Sequence, residues 1–227
     1  MLLKTSDAAI AINVTENVIQ SWIKKDGLPA EMISGELMIN RTDLLEWATE
    51  RGLKVDPEIF KVNDDENIHM PTLMEAIESG GIHFGVKGND KETVLRNVVE
   101  CLNLPDKLDP EFILQVLLTR EAMGTTAIGD GIAIPHVRNP IMLRIPKPKI
   151  ALCFLETPID FEAFDAKPVN ILFTLTSPTV KVHLHLLSRL AFALREKRLR
   201  SVLQNQDSKE TIMAVFKEID SSPGRPK

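Results

Sequence analysis

Chemistry in this chain converges on one histidine. His136 ends the run Gly129-Asp130-Gly131-Ile132-Ala133-Ile134-Pro135-His136, a glycine-spaced turn followed by a short apolar strand. Pro135 fixes its own φ and restricts Ile134, so the approach to the imidazole is stiff. An unperturbed imidazole titrates near ~6.5 and offers a neutral nitrogen nucleophile close to neutral pH. A phosphoryl group held on nitrogen stays reactive enough to be handed on. Its transfer passes through a loose transition state with charge spread over the equatorial oxygens, so the site must supply position and nearby donors.

Two groups could supply them. Arg120, in Thr119-Arg120-Glu121-Ala122-Met123-Gly124, presents a permanently charged planar fork suited to phosphate oxygens. The other lies in Val182-His183-Leu184-His185-Leu186-Leu187. Residues two apart on a helix diverge by roughly 200°, so His183 and His185 cannot face one site. His183 aligns with Leu186, Leu187, Leu190 and Leu194, the apolar stripe, and is the inward candidate; a satisfied core histidine is the alternative for it. His185 aligns with Ser188, Arg189 and Phe192. A metal site is not expected, because no acidic or cysteine ligand accompanies these histidines at recognisable spacing. No Walker loop, dinucleotide fingerprint or nucleophile elbow occurs, and no cofactor is implied.

These residues need elements to hold them. Helical periodicity covers about 72–79, 90–103, 110–123, 181–197 and 208–219, and β-favouring runs cover about 82–86, 131–135, 149–155 and 169–176. Interleaved helices and strands predict an α/β domain over 71–220, a mixed sheet with helices on both faces. Residues 1–52 have another texture. Ser6 is placed to cap a helix through Ala8, Ala9 and Ile12, Thr15 to cap a second, and Thr42 to cap a third through Leu44, Leu45, Trp47 and Ala48. Met32 to Ile39 reads as a hairpin around Ser34-Gly35, and Gly27 and Gly52 close helices. Residues 53–70 form a polar linker, and 221–227 a disordered tail.

Composition narrows the classes further. A length of 227 residues suits one large or two small domains, and 44% apolar content supports a sizeable core. A net charge of −5 argues against a mainly electrostatic binder of nucleic acid or membrane surfaces. No apolar run is long enough to span a bilayer, and Asp7, Asn13 and Glu16 interrupt any signal-like N-terminus. Cys101 and Cys153 read as reduced thiols packed as small hydrophobes, and a cytoplasmic protein is expected.

With its preceding block Thr119-Arg120-Glu121-x-Met123-Gly124-x-Thr126, the Gly129–His136 run resembles the fructose/mannitol/nitrogen-regulatory class of phosphotransferase-system IIA domains. Leu155-Glu156-Thr157-Pro158-Ile159-Asp160-Phe161, Asp165-Ala166-Lys167-Pro168-Val169 and His183-Leu184-His185 fall where that family has similar segments. The resemblance spans about residues 72–219. The nitrogen-regulatory branch fits best, because no sugar-transporting membrane segment accompanies the domain. It implies that His136 accepts phosphate from an HPr-type phosphocarrier protein, with His183 and Arg120 assisting. Many members have a small residue after the histidine. Here Val137 stands there, and a β-branched side chain is expected to crowd the approach and slow transfer, alter donor choice or mark lost chemistry. The basic, proline-rich stretch 138–148 reads either as a donor-docking rim or as a plain surface connection.

Residues 1–50, through Thr5-Ser6-Asp7-Ala8-Ala9, Val14-Thr15-Glu16-Asn17-Val18-Ile19-Gln20-Ser21-Trp22-Ile23 and Asp43-Leu44-Leu45-Glu46-Trp47, resemble the excisionase/MerR-type winged helix-turn-helix. The resemblance implies a second helix in the DNA major groove, with Thr15, Asn17, Gln20, Ser21, Lys24, Lys25 and Arg41 as contact candidates. Charge points the other way. Residues 1–55 hold six basic and eight acidic side chains, whereas DNA affinity rests largely on Lys and Arg at phosphates. DNA binding and a protein-interaction or homodimerisation module are both open for this scaffold, and dimerisation would multiply weak contacts.

Overall fold

The computed structural model describes residues 2–33, 35–53, 70–105, 108–137, 140 and 145–221. The chain divides into two units that part near residues 66 and 67. The linker expected over 53–70 lies almost wholly outside the described residues, as does the tail beyond Ser221.

The N-terminal unit runs β1 (Leu2–Lys4), α1 (Thr5–Ile12), α2 (Glu16–Lys25), β2 (Glu31–Ile33), β3 (Glu36–Asn40) and α3 (Arg41–Glu50). Its antiparallel sheet has the order β1-β3-β2, so the expected hairpin gains a third strand. Asn13, left-handed at φ 57°, turns α1 toward α2. Gly27 and Gly52 follow helices whose ends are closed by Leu28 N–H to Trp22 O and Leu53 N–H to Ala48 O. The expected caps shift. β1 runs directly into α1 and β3 into α3, so Lys4 occupies the first N-cap, while Ser6 and Thr42 lie inside their helices. Thr15 does occupy the N-cap of α2, with backbone geometry alone and no hydroxyl bond. Leu3, Ala8, Ile12, Ile19, Leu28, Ile39, Leu44 and Trp47 form this unit's own core. Trp22 and Trp47 pack with centroids 4.9 Å apart, and the Arg51 guanidinium lies 4.2 Å over Trp47.

The second unit begins with α4 (Leu73–Gly80), opened by a full capping box: Thr72 Oγ1 accepts from Glu75 N–H and Glu75 Oε2 accepts from Thr72 N–H. Then come β4 (Ile82–Val86), α5 (Lys91–Cys101), α6 (Pro110–Ala122), β5 (Ala127–Gly129), β6 (Ile132–Ala133), β7 (Lys149–Ile159), β8 (Val169–Thr176), α7 (Val180–Ala193), α8 (Lys197–Gln204) and α9 (Lys209–Ser221). The five strands form one mixed sheet, β4-β7-β8-β6-β5, in which β4 and β7, and β8 and β6, pair parallel. Ile150 through Leu155 are all buried, as expected for a central strand covered on both faces. Ala151, Cys153 and Leu155 join α5 and α6 in one core layer. On the opposite face Gly80 of α4 abuts the Ile150 backbone and Phe173 meets Phe216 of α9.

Two elements depart from expectation. The run expected as one helix over 181–197 is broken after Ala193, because Arg200 reaches back and its Nε donates to Leu194 O at 2.5 Å, closing α7 and leaving α8 as a separate helix. The strand expected over 131–135 is only Ile132–Ala133, paired with the three-residue β5 as a hairpin.

Candidate functional site

The path to His136 starts at the end of α6. Arg120 Nη1 donates to Gly124 O at 2.8 Å, satisfying a carbonyl where the helix stops. Buried Glu121 accepts from Thr126 N–H at 3.2 Å and from the Thr126 hydroxyl, with Lys91 3.9 Å away. Burial raises the Glu121 carboxyl above its usual range, against the pull of these donors and of Arg120. Ile134 N–H then donates to Thr126 O at 3.0 Å. The block Thr119–Thr126 thus anchors the segment that leads into the histidine.

The hairpin turn is clamped from outside. Asp130 N–H donates to Asp165 Oδ2 at 2.8 Å, and the Asp130 carboxylate pairs with Lys167 at 2.9 Å and Arg200 at 2.6 Å. Gly131 has φ 76°, and a Cβ there would lie 2.7 Å from Asn170 Oδ1, so both backbone and space require glycine. Arg200 therefore holds the turn before His136 with one nitrogen and the end of α7 with another. Reasoning from sequence assigned Asp165, Lys167 and Arg200 no role, because their partner Asp130 is distant in the chain. Their only signal was the Asp165–Val169 segment's likeness to the family pattern.

Pro135 O accepts from Leu175 N–H at 3.0 Å, and His136 bridges Leu175 in parallel register, extending the β6–β8 pairing. The missing N–H of proline costs nothing where only its carbonyl is used. His136 Nδ1 lies 2.6 Å from Ile134 O. A carbonyl can only accept, so Nδ1 carries the hydrogen and Nε2 the lone pair. The His183 ring stands 5.3 Å away, centroid to centroid, tilted 47°. It comes from the first turn of α7, capped by Thr179 Oγ1 accepting from Val182 N–H. Around Leu175, the hydroxyls of Thr174, Thr176 and Ser177 are buried without a hydrogen-bond partner among the described residues.

The structure thus brings His136 and His183 together and places Arg120 at the helix end that begins the same segment. His185 points elsewhere, its Nε2 3.1 Å from Pro71 O, as the helical geometry requires. Two expectations fail. The ring of His136 was expected open, yet the residue is 3% exposed and His183 is wholly buried, because the histidine continues the sheet beneath α7. Val137 does not crowd the ring. Its side chain is buried in the opposite core layer with α5 and α6 residues, as alternation along an extended chain dictates. Of the stretch 138–148, residues 138, 139 and 141–144 lie outside the described residues. Among the described residues, no cluster of three metal-ligating side chains occurs, and no helix is long and apolar enough to cross a membrane.

In the N-terminal unit, Thr15, Asn17, Lys24 and Lys25 are exposed, and Gln20 and Ser21 are partly so. Arg41 differs from expectation. It is 9% exposed at the start of α3, tucked where β3 turns into the helix, and so lacks the solvent-facing guanidinium of a phosphate contact.

Residues 75–219 match the protein-family model described as "Phosphoenolpyruvate-dependent sugar phosphotransferase system, EIIA 2". The chain belongs to this family. Its EIIA 2 domain is similar to the nitrogen regulatory protein of Escherichia coli (strain K12), 32% identical over 165 residues, 71% of this chain and 97% of the relative. The nitrogen regulatory protein of Klebsiella oxytoca is 39% identical over 165 residues, 71% of this chain and 98% of the relative. Among solved structures, nitrogen regulatory protein IIA-Ntr from Neisseria meningitidis superposes with a TM-score of 0.53 at 28% identity, covering 60% of this chain and 92% of that one. The match places the EIIA 2 domain on the second unit and leaves the N-terminal unit outside it.

Proposed function

We propose that the EIIA 2 domain accepts a phosphoryl group on Nε2 of His136 from an HPr-type phosphohistidine carrier and serves nitrogen regulation. The observation that carries this reading is the 2.6 Å contact of Nδ1 with Ile134 O, which leaves Nε2 as the nucleophile. In the transfer, the donor's N–P bond breaks as a bond from Nε2 to phosphorus forms. The Ile134 carbonyl stabilises the positive charge that develops on the ring. His183, in the first turn of a helix whose N-terminal end favours anions, offers a donor to the phosphoryl oxygens. Arg120 lends a fixed positive charge at the entry of the segment. Because His136 is buried, the ring must be uncovered before attack. The nitrogen-regulatory part of the reading is supported by the relatives, which align over nearly their whole length.

The test is phosphorylation of the full chain by phosphoenolpyruvate, enzyme I and an HPr-type carrier. The label should be acid-labile and alkali-stable, and His136→Ala should abolish it. His183→Ala should slow its appearance by about a hundredfold, the usual cost of one preorganised donor. Label persisting in His136→Ala would overturn the proposal.

A second reading concerns output. Two helices joined by a tight turn beside a hairpin are how helix-turn-helix proteins enter the major groove, and α2 exposes Asn17, Lys24 and Lys25. DNA binding by the full chain should fall with salt and weaken in Lys24→Ala/Lys25→Ala. If no binding is detected even near ~50 mM salt, the unit is a protein-interaction module.

A further inference from the structure

Cys101 and Cys153 are far apart in the chain but meet in the fold. Cys101 is the last residue of α5 and is partly exposed, while Cys153 sits mid-β7 and is fully buried. Both belong to the core layer between α5 and the sheet. The end of α5 is fastened to β7 by Lys149, whose Nζ donates to Leu102 O at 3.0 Å and to Asn103 O at 2.5 Å. The two cysteine side chains are hydrogen-bonded to each other. His83 lies beside them, in register with Cys153 across the β4–β7 pairing.

The contact with Cys153, aided by His83 and opposed by burial and Glu100, lowers the Cys101 thiol to about 6. The same contact and then burial push Cys153 up, so it remains the hydrogen donor. One thiol is thus reactive and reachable, and its neighbour is shielded and in contact, the pairing that redox-active cysteines use.

We propose that Cys101 and Cys153 are a peroxide-oxidisable pair that closes an intramolecular disulfide between α5 and β7. The Cys101 thiolate attacks the O–O bond of a hydroperoxide and becomes a sulfenic acid, releasing water when the oxidant is hydrogen peroxide. The Cys153 sulfur then attacks the sulfenic sulfur; the S–O bond breaks, and the departing hydroxide takes the Cys153 proton and leaves as water. Two thiols are oxidised by two electrons and one peroxide is reduced. A dithiol reverses the link by exchange.

The reduced full-length chain is treated with hydrogen peroxide, denatured in N-ethylmaleimide and weighed intact. The expected product is a monomer lighter by two hydrogens that takes up no maleimide. Digestion should yield a cross-linked peptide pair containing Cys101 and Cys153, and dithiothreitol should restore both alkylation sites. In Cys153→Ala, dimedone should trap a sulfenic acid on Cys101. The proposal is overturned if both native thiols still alkylate, if oxidation yields only a dimer through Cys101, or if Cys101 reaches sulfinic acid while Cys153 stays free. Should Cys153→Ala fail to fold, the native protein's mass and peptide map decide alone.

Discussion

Val137 shows how a residue beside a reactive group can belong to a different part of the molecule. Its methyls fill the layer shared with α5 and α6, on the face opposite the imidazole. Val137→Ala should therefore cost about 1–3 kcal/mol by opening a small cavity, read as a lower urea midpoint, and should not accelerate transfer. A faster variant of unchanged stability would restore the crowding argument. His185 has a pH signature of its own. Burial holds its imidazole below the usual 6.5, against the pull of Pro71 O and Asp220. Above pH 6.5 the ring is neutral in both folded and unfolded chains. As pH falls below 6.5, the unfolded chain takes up a proton first and stability drops until the folded-state ring also titrates. His185→Gln should flatten the acid side of a stability–pH curve, and an unchanged slope would show that other groups set it. The nucleophile and its neighbour were legible because proline, glycine spacing and helical periodicity are local signals. The burial of His136 was not, because it arises from a bridge to Leu175 and from the placing of α7, neither of which local sequence encodes.

At the level of elements, long periodic segments declared themselves and short ones did not. The strands at 82–86 and 169–176 have the bounds the sequence predicts, since each is an apolar run between polar breaks. The three-residue β5 is set by Thr126, Glu121 and the Asp165 clamp, and carries no periodicity to detect. The break between α7 and α8 depends on an arginine arriving from the next helix. Packing of elements also decides a sign. Alanine favours a helix over glycine by about 1 kcal/mol, yet a Cβ on Gly80 would lie 2.4 Å from the Ile150 carbonyl, which is backbone and cannot yield easily. Gly80→Ala should therefore destabilise the domain by about 1–3 kcal/mol, the usual cost of overpacking. A rise in thermal midpoint would mean that α4 can shift on the sheet without loss.

On the scale of the whole chain, each unit carries its own apolar core, and the polar stretch between them was the clearest domain signal in the sequence. Leu44 is fully buried in the N-terminal core, so Leu44→Ala should cost about 2–5 kcal/mol there. Denaturant titration followed by tryptophan emission should show the shift. Both tryptophans of the chain, Trp22 and Trp47, are in that unit, and the chain contains no tyrosine. The indole pair is therefore a built-in one-sided reporter, optically silent about the half that bears the histidines. Any change in its emission when His136 is loaded with phosphate would record a message crossing from one half of the chain to the other, with no dye attached.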